Sequence, residues 1–86
     1  MAFVYILKNE KGNFYIGSTV NLERRIKQHN NGNTYSTKRM GNLKLVFSQK
    51  YEKLKDARKI EYKLKSLKRH DYIANIVKDG FIKISP

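Results

Sequence analysis

A handful of side chains in this 86-residue chain are of types that do more than fold a protein. Tyr5 and Tyr15 each sit in a β-branched, aromatic run. If the turn between those runs has its tip at Asn9–Lys11, the two tyrosines face each other across a hairpin, with Cβ atoms about 4.5–5.5 Å apart. A phenol ordinarily gives up its proton near pH ~10, and a neighbouring cation lowers that value enough for the phenolate to serve as a base. The plainer alternative is that the rings simply pack, as strand aromatics do. Gly17 follows within the same run, where glycine marks either a bulge or a place that another group must approach closely. Arg25 and His29 are four residues apart and share a helical face with Leu22 and Ile26. A guanidinium there can grip two oxygens of one anion. Glu61 falls between Leu54 and Ala57 in helical angle, at the edge of an apolar stripe. A carboxylate so placed can hold a hard cation. It can equally pair with Lys65 or Arg58 on its own helix, for about 0.3–0.5 kcal/mol. Spacing alone does not choose between the two.

The elements that must position these groups are legible in outline. Residues 2–7 are apolar on both alternating faces, as suits a central strand covered on two sides. Lys8 to Asn13 reads as a turn and Phe14 to Thr19 as the second strand of a hairpin. Asn21 is a good N-cap for a helix carrying Leu22, Ile26 and His29, which Gly32 would stop. Residues 30–43, rich in Asn, Gly, Ser and Thr, read as a loop. Leu43 to Tyr51 reads as a third strand, with Leu43, Leu45 and Phe47 in one row and Val46 opposite. Leu54, Ala57, Ile60, Leu64 and Leu67 stripe a helix over residues 53–69, which also carries eight Lys and Arg. A shorter helix with Tyr72, Ile73, Ile76 and Val77 ends near Gly80, and Phe81 to Ile84 reads either as a strand or as an extended tail. The order β-β-α-β-α-α predicts an α+β fold, a small antiparallel sheet with helices over its faces.

Composition narrows the partners. Nineteen Lys and Arg against seven Asp and Glu leave a net charge of +12. Solubility asks for only about 2–8 charges on a small domain. The excess favours a polyanion, with nucleic acid ahead of an anionic membrane because no basic amphipathic segment has a strongly lipophilic face. Cysteine is absent. That excludes a disulfide scaffold, a thiol nucleophile and a Cys-ligated zinc or iron–sulfur centre. The apolar run from Ala2 to Leu7 is far short of the ~20 residues of a membrane span. The expectation is one domain over residues 1–86, located in the cytoplasm.

Val4-Tyr5, followed by Tyr15-Ile16-Gly17, resembles the two halves of the GIY-YIG nuclease motif. The likeness continues through Ser18-Thr19, Asn21-Leu22, Arg25 and His29-Asn30, and then Glu61 on the later helix. It covers almost the whole chain. It is most similar to the short single-domain members, which resemble the N-terminal incision domain of bacterial excision-repair nucleases. Phe3 stands where the motif's first glycine would be, and Asp71 where related short members commonly carry a basic residue. The resemblance implies a three-stranded antiparallel sheet flanked by helices.

It also implies a set of catalytic residues, Tyr5, Tyr15, Arg25, His29 and Glu61. Tyr5 would act as general base, and Tyr15 would position water, metal or phosphate. Arg25 and His29 would lie at the scissile phosphate, and Glu61 would be the sole carboxylate ligand of one divalent ion, Mg²⁺ or Mn²⁺. Gly17, Ser18, Lys38, Arg39 and Asn75 are the expected substrate-binding residues, with Lys38 and Arg39 on a basic loop that also contains Tyr35. These residue types suit phosphodiester hydrolysis. A guanidinium and a cation stabilise the charge that gathers on the phosphoryl and leaving oxygens, and Mg²⁺ often takes only one or two carboxylates. The resulting expectation is a metal-dependent endonuclease acting on DNA, in repair or recombination, with a separate protein for targeting. The alternatives are a non-catalytic nucleic-acid-binding protein and a partner-recruited nuclease subunit. Retention of Tyr5, Tyr15, Arg25 and Glu61 together favours catalysis, because phosphate binding alone needs only Lys and Arg.

Overall fold

The computed structural model describes residues 1–30, 43–67 and 69–82, without the side chains of residues 29 and 30. Strand β1 (Ala2–Asn9) occupies the centre of a three-stranded antiparallel sheet, between β2 (Phe14–Thr19) and β3 (Leu43–Tyr51). Its unbroken apolar run suits that place, since both of its faces are covered. Ala2, Val4 and Ile6 point to one side, where they join Ile16 and Phe47 beneath α2 (Leu54–Leu67) and α3 (His70–Asp79). Ala57, Ile60 and Leu64 of α2, with Ile73 and Ile76 of α3, complete this larger core. Tyr5 and Leu7 point the other way and meet Leu43, with Tyr15 and with Leu22 and Ile26 of α1 (Leu22–Asn30) packed against them. The α+β arrangement is the one expected from the order of elements.

The hairpin register differs from the expected one. Tyr5 pairs with Gly17 and Leu7 with Tyr15, so the two tyrosines are not directly opposite. The cause is the turn. Asn9 Oδ1 accepts hydrogen bonds from the backbone N–H of Lys11 (3.1 Å) and of Asn13 (2.8 Å). The Gly12 N–H donates to the Asn9 carbonyl at 3.1 Å, with Gly12 in the left-handed region at φ 86°. The loop is therefore Glu10–Gly12, its centre displaced toward β2, and every pairing moves with it.

The third strand also departs from its expected pattern. Ile6 pairs with Phe47 but Leu7 pairs with Leu45, so Val46 is an extra residue, a β-bulge. One inserted residue exchanges the faces beyond it. Leu43 packs with Tyr5 and Leu7, Phe47 packs on the opposite side, and Leu45 is 40% exposed. The single row of Leu43, Leu45 and Phe47 does not exist.

The helices follow their local signals. Asn21 caps α1, its Oδ1 accepting the Arg24 N–H at 3.0 Å. The expected stop at Gly32 lies outside the described residues. Two helices, α2 and α3, are separated at Arg69, whose backbone is extended (φ −115°, ψ 107°). Gly80 closes α3 at φ 83°, donating to the Ile76 carbonyl at 2.8 Å. Beyond it, Ile82 is buried and its N–H donates to Gln49 Oε1 at 2.7 Å, while the rest of the segment expected as a strand or tail lies outside the described residues.

Asn9 Oδ1 accepts both of the side-chain hydrogen bonds described in this turn. Asn9→Ala should lower the unfolding free energy by about 1–2 kcal/mol in urea titration. An unchanged midpoint would show that Gly12 alone dictates the register.

Candidate active site at the edge of the sheet

The site begins with a problem of reach. Adjacent strands lie only about 4.8 Å apart, so a phenol on the central strand extends over its neighbour if nothing stands in the way. Tyr5 does this across β2, an edge strand, and the residue facing it is Gly17. A Cβ placed on Gly17 would sit 3.0 Å from Tyr5 Cε1 and closer still to Cζ and the hydroxyl. The glycine is thus required by close approach, and no positive φ is involved. On the other side Tyr5 pairs with Ser48, another small residue.

The Tyr5 hydroxyl is carried in this way toward the rim where the two faces of the sheet meet. Its charge environment includes Tyr15, Arg25 and Glu61. Tyr15 comes from β2, Arg25 from the half-buried face of α1 and Glu61 from α2. Tyr5 is itself buried, at 2% exposure. Burial raises its pKa well above the usual tyrosine value, and Tyr15 and Glu61 push in the same direction, while Arg25 opposes them. The neighbouring cation acts in the expected direction, but its effect is smaller than that of burial. In this chain the arginine is outweighed by desolvation, and Tyr5 stays a neutral phenol at neutral pH.

Glu61 is held at both oxygens. Ser18 Oγ, on the α2-facing side of β2, donates to Oε1. Lys65 Nζ donates to Oε2 at 2.6 Å, and the same ammonium lies 5.7 Å from the centroid of the Tyr15 ring. Of the two helical partners weighed from the sequence, the structure pairs Glu61 with Lys65. The Glu61 side chain keeps 21% of its surface exposed. Ser18 was expected at the substrate, and its observed partner is the carboxylate. The Glu61–Lys65 spacing was the available signal for the lysine, but it reads as an ordinary helix-surface pair without Ser18 and Tyr15 beside it.

The donor set favours one kind of cation. Among the described residues no three His, Cys, Asp or Glu come together, so no carboxylate cage or thiolate–imidazole site is present there. Glu61 offers a single hard carboxylate, oriented by a hydroxyl and reachable from solvent. That fits a mainly water-coordinated divalent ion such as Mg²⁺ or Mn²⁺.

Other expected site residues are distributed differently. The His29 side chain, Lys38 and Arg39 lie outside the described residues. Asn75 is exposed on α3 beside Tyr72, Asp79 and Phe81, and is not among the groups gathered at Glu61. The reason is helical phase, because Ile73 and Ile76 turn into the core and carry Asn75 outward. Asp71 pairs with Arg69 at 2.7 Å on the exposed surface. Two basic hollows flank the gathered groups. One, of about 400 Å³, lies between β2 and the helices and includes Tyr15, Lys65, Arg69 and His70. The other, of about 320 Å³, lies at the start of α1 and includes Thr19, Arg24 and Arg25.

Comparison with known proteins identifies the family. Residues 1–73 match the model of the GIY-YIG catalytic domain. A UPF0213 protein of Clostridium perfringens is 44% identical over 71 residues, covering 81% of this chain and 76% of that one. A UPF0213 protein of Autographa californica nuclear polyhedrosis virus is 44% identical over 64 residues, covering 72% and 62% respectively. The solution NMR structure of a UPF0213 protein from Bacillus halodurans superimposes with a TM-score of 0.58 at 32% identity, covering 93% of this chain and 87% of that one. The chain belongs to the GIY-YIG family, a family of nucleases.

Two measurements test the geometry around Tyr5. Gly17→Ala should cost about 1–3 kcal/mol through overpacking, and most of that cost should vanish in a Tyr5→Ala background. Strictly additive losses would mean that the two residues do not crowd each other. The second is a pH profile. The folded pKa of Tyr5 is above its unfolded value, so its contribution to stability is complete below about pH 10 and declines as pH rises further. Tyr5→Phe should flatten that alkaline decline in unfolding titrations, and a profile identical to wild type would show that Tyr5 is not the buried phenol responsible.

Proposed function

We propose that this chain is a metal-dependent endonuclease that hydrolyses phosphodiester bonds in DNA, acting in the cytoplasm in repair or recombination. The observation that carries the reading is the meeting of Tyr5, Tyr15, Arg25 and Glu61, from three different elements and β1, at one rim of the sheet. Domain organisation is read as a single catalytic unit over residues 1–86.

Each group has a chemical task in this reading. Arg25 holds non-bridging phosphate oxygens in its fork and stabilises the charge they gain as the bond breaks. Glu61, oriented by Ser18, would hold the divalent ion, which supplies Lewis-acid stabilisation at the leaving oxygen and a more acidic bound water. Tyr5 and Tyr15 orient the attacking water. Tyr5, neutral in the chain alone, can serve as proton acceptor only where added positive charge offsets its burial. The two basic hollows on either side of Tyr15 and Arg25, together with the net charge of +12, give a path for the strand on each side of the bond. His29 is assigned to the phosphates by family resemblance, and Lys38 and Arg39 by the basic composition of the segment around them. Gly17 serves by admitting Tyr5, and Asn75 is left as an outlying DNA contact. Backbone contacts of this kind read little sequence, so a separate targeting protein is part of the proposal.

Supercoiled plasmid DNA with Mg²⁺ or Mn²⁺ tests the reading. Wild type should nick it. Arg25→Ala and Glu61→Gln should each lose about 10²-fold or more in rate, while DNA binding by filter retention persists. Equal trace cleavage by wild type and both variants, with binding intact, would instead identify a nucleic-acid-binding protein without catalysis.

A further inference from the structure

We propose that Lys65 is a built-in competitor for the cation at Glu61, its ammonium holding the carboxylate in the metal-free chain and having to be displaced before a divalent ion binds. The inference rests on the reading that Glu61 is the metal ligand, and goes beyond it by assigning a role to a residue outside the family motif. Three observations carry it. First, Lys65 Nζ lies 2.6 Å from Oε2, at the oxygen left over once Ser18 has taken Oε1. Both carboxylate oxygens are therefore engaged, and a metal ion entering on Oε2 meets a positive charge already there. Second, the ammonium is also stationed 5.7 Å from the centre of the Tyr15 ring. A ring face attracts a cation, so Lys65 has a second neighbour on β2 besides its own helix partner. Third, Glu61 is far less exposed than a helix-surface carboxylate such as Glu23, whose side chain is 83% exposed, against 21% for Glu61. A half-buried carboxylate gains more from a counter-ion than an exposed one, because less water screens the pair.

The consequence is an exchange. In the resting chain the lysine neutralises Glu61. The flexible four-carbon stem of Lys65 would let its ammonium move away from Glu61 when a divalent ion is held there, since half of the Lys65 side chain already faces solvent. Giving up a half-buried ion pair of this kind weakens metal binding by on the order of ten-fold. Lys65 thus raises the metal concentration at which the site fills.

Direct Mn²⁺ titration of the full chain, followed by electron paramagnetic resonance or calorimetry without DNA, tests this independently of cleavage. Lys65→Met should tighten Mn²⁺ binding by about ten-fold. Lys65→Arg, which keeps the charge, should bind like wild type. Glu61→Gln should abolish the site in every background. If Lys65→Met binds Mn²⁺ no more tightly than wild type, or if Lys65→Arg tightens it equally, the competitor role is overturned while Glu61 remains the ligand. If Glu61→Gln leaves Mn²⁺ binding intact, the metal assignment and the competitor fall together.

Discussion

Everything at the rim depends on one side chain that is missing. The Tyr5 phenol crosses its neighbouring strand because Gly17 has no Cβ to stop it. That crossing converts a core aromatic on a central strand into a group that reaches the sheet edge. It also explains why Tyr5 is chemically unusual. Its root is buried with Leu7 and Leu43, so its proton is held tightly, yet its tip shares a neighbourhood with three charge-bearing or polar groups. A side chain of any size at position 17 would force the ring back into the α1-side core.

The two cores meet at that same rim with different offerings. The α1 side supplies Tyr5, Tyr15 and Arg25, and the α2 side supplies Glu61, Ser18 and Lys65. Neither face has the complete set. Apolar stripes of modest size suffice to align them, because Ile60 and Leu64 anchor α2 on either side of Glu61 in sequence and both are almost fully buried. Precise placement of the carboxylate then follows from packing rather than from its own polar contacts, and Ser18 only trims the orientation.

The sheet, the helix order and the identity of most gathered residues were legible in the sequence, since long apolar periodicities and the tyrosine–glycine spacing are local signals. What was not legible was register. The Asn9 turn moved the hairpin so that Tyr5 faces Gly17 rather than Tyr15, and the Val46 bulge divided Leu43 and Phe47 between opposite faces. Both are single-residue effects, invisible to a pattern with period two until the hydrogen bonds that cause them are known. Lys65 was visible only as half of a common helical pair. Its second neighbour, Tyr15, is fifty residues away in the chain and becomes relevant only when β2 and α2 are packed together.

The location of these groups on an outer strand has a consequence for what can reach them. A reaction centre at the bottom of a closed cavity takes molecules that fit inside, or the free end of a polymer threaded in. A centre mounted on the lip of a sheet, with open hollows to either side, can be approached laterally by a filament of any length. On the proposed function such a platform would have no need of a terminus, and would engage the interior of a long strand as readily as a short fragment.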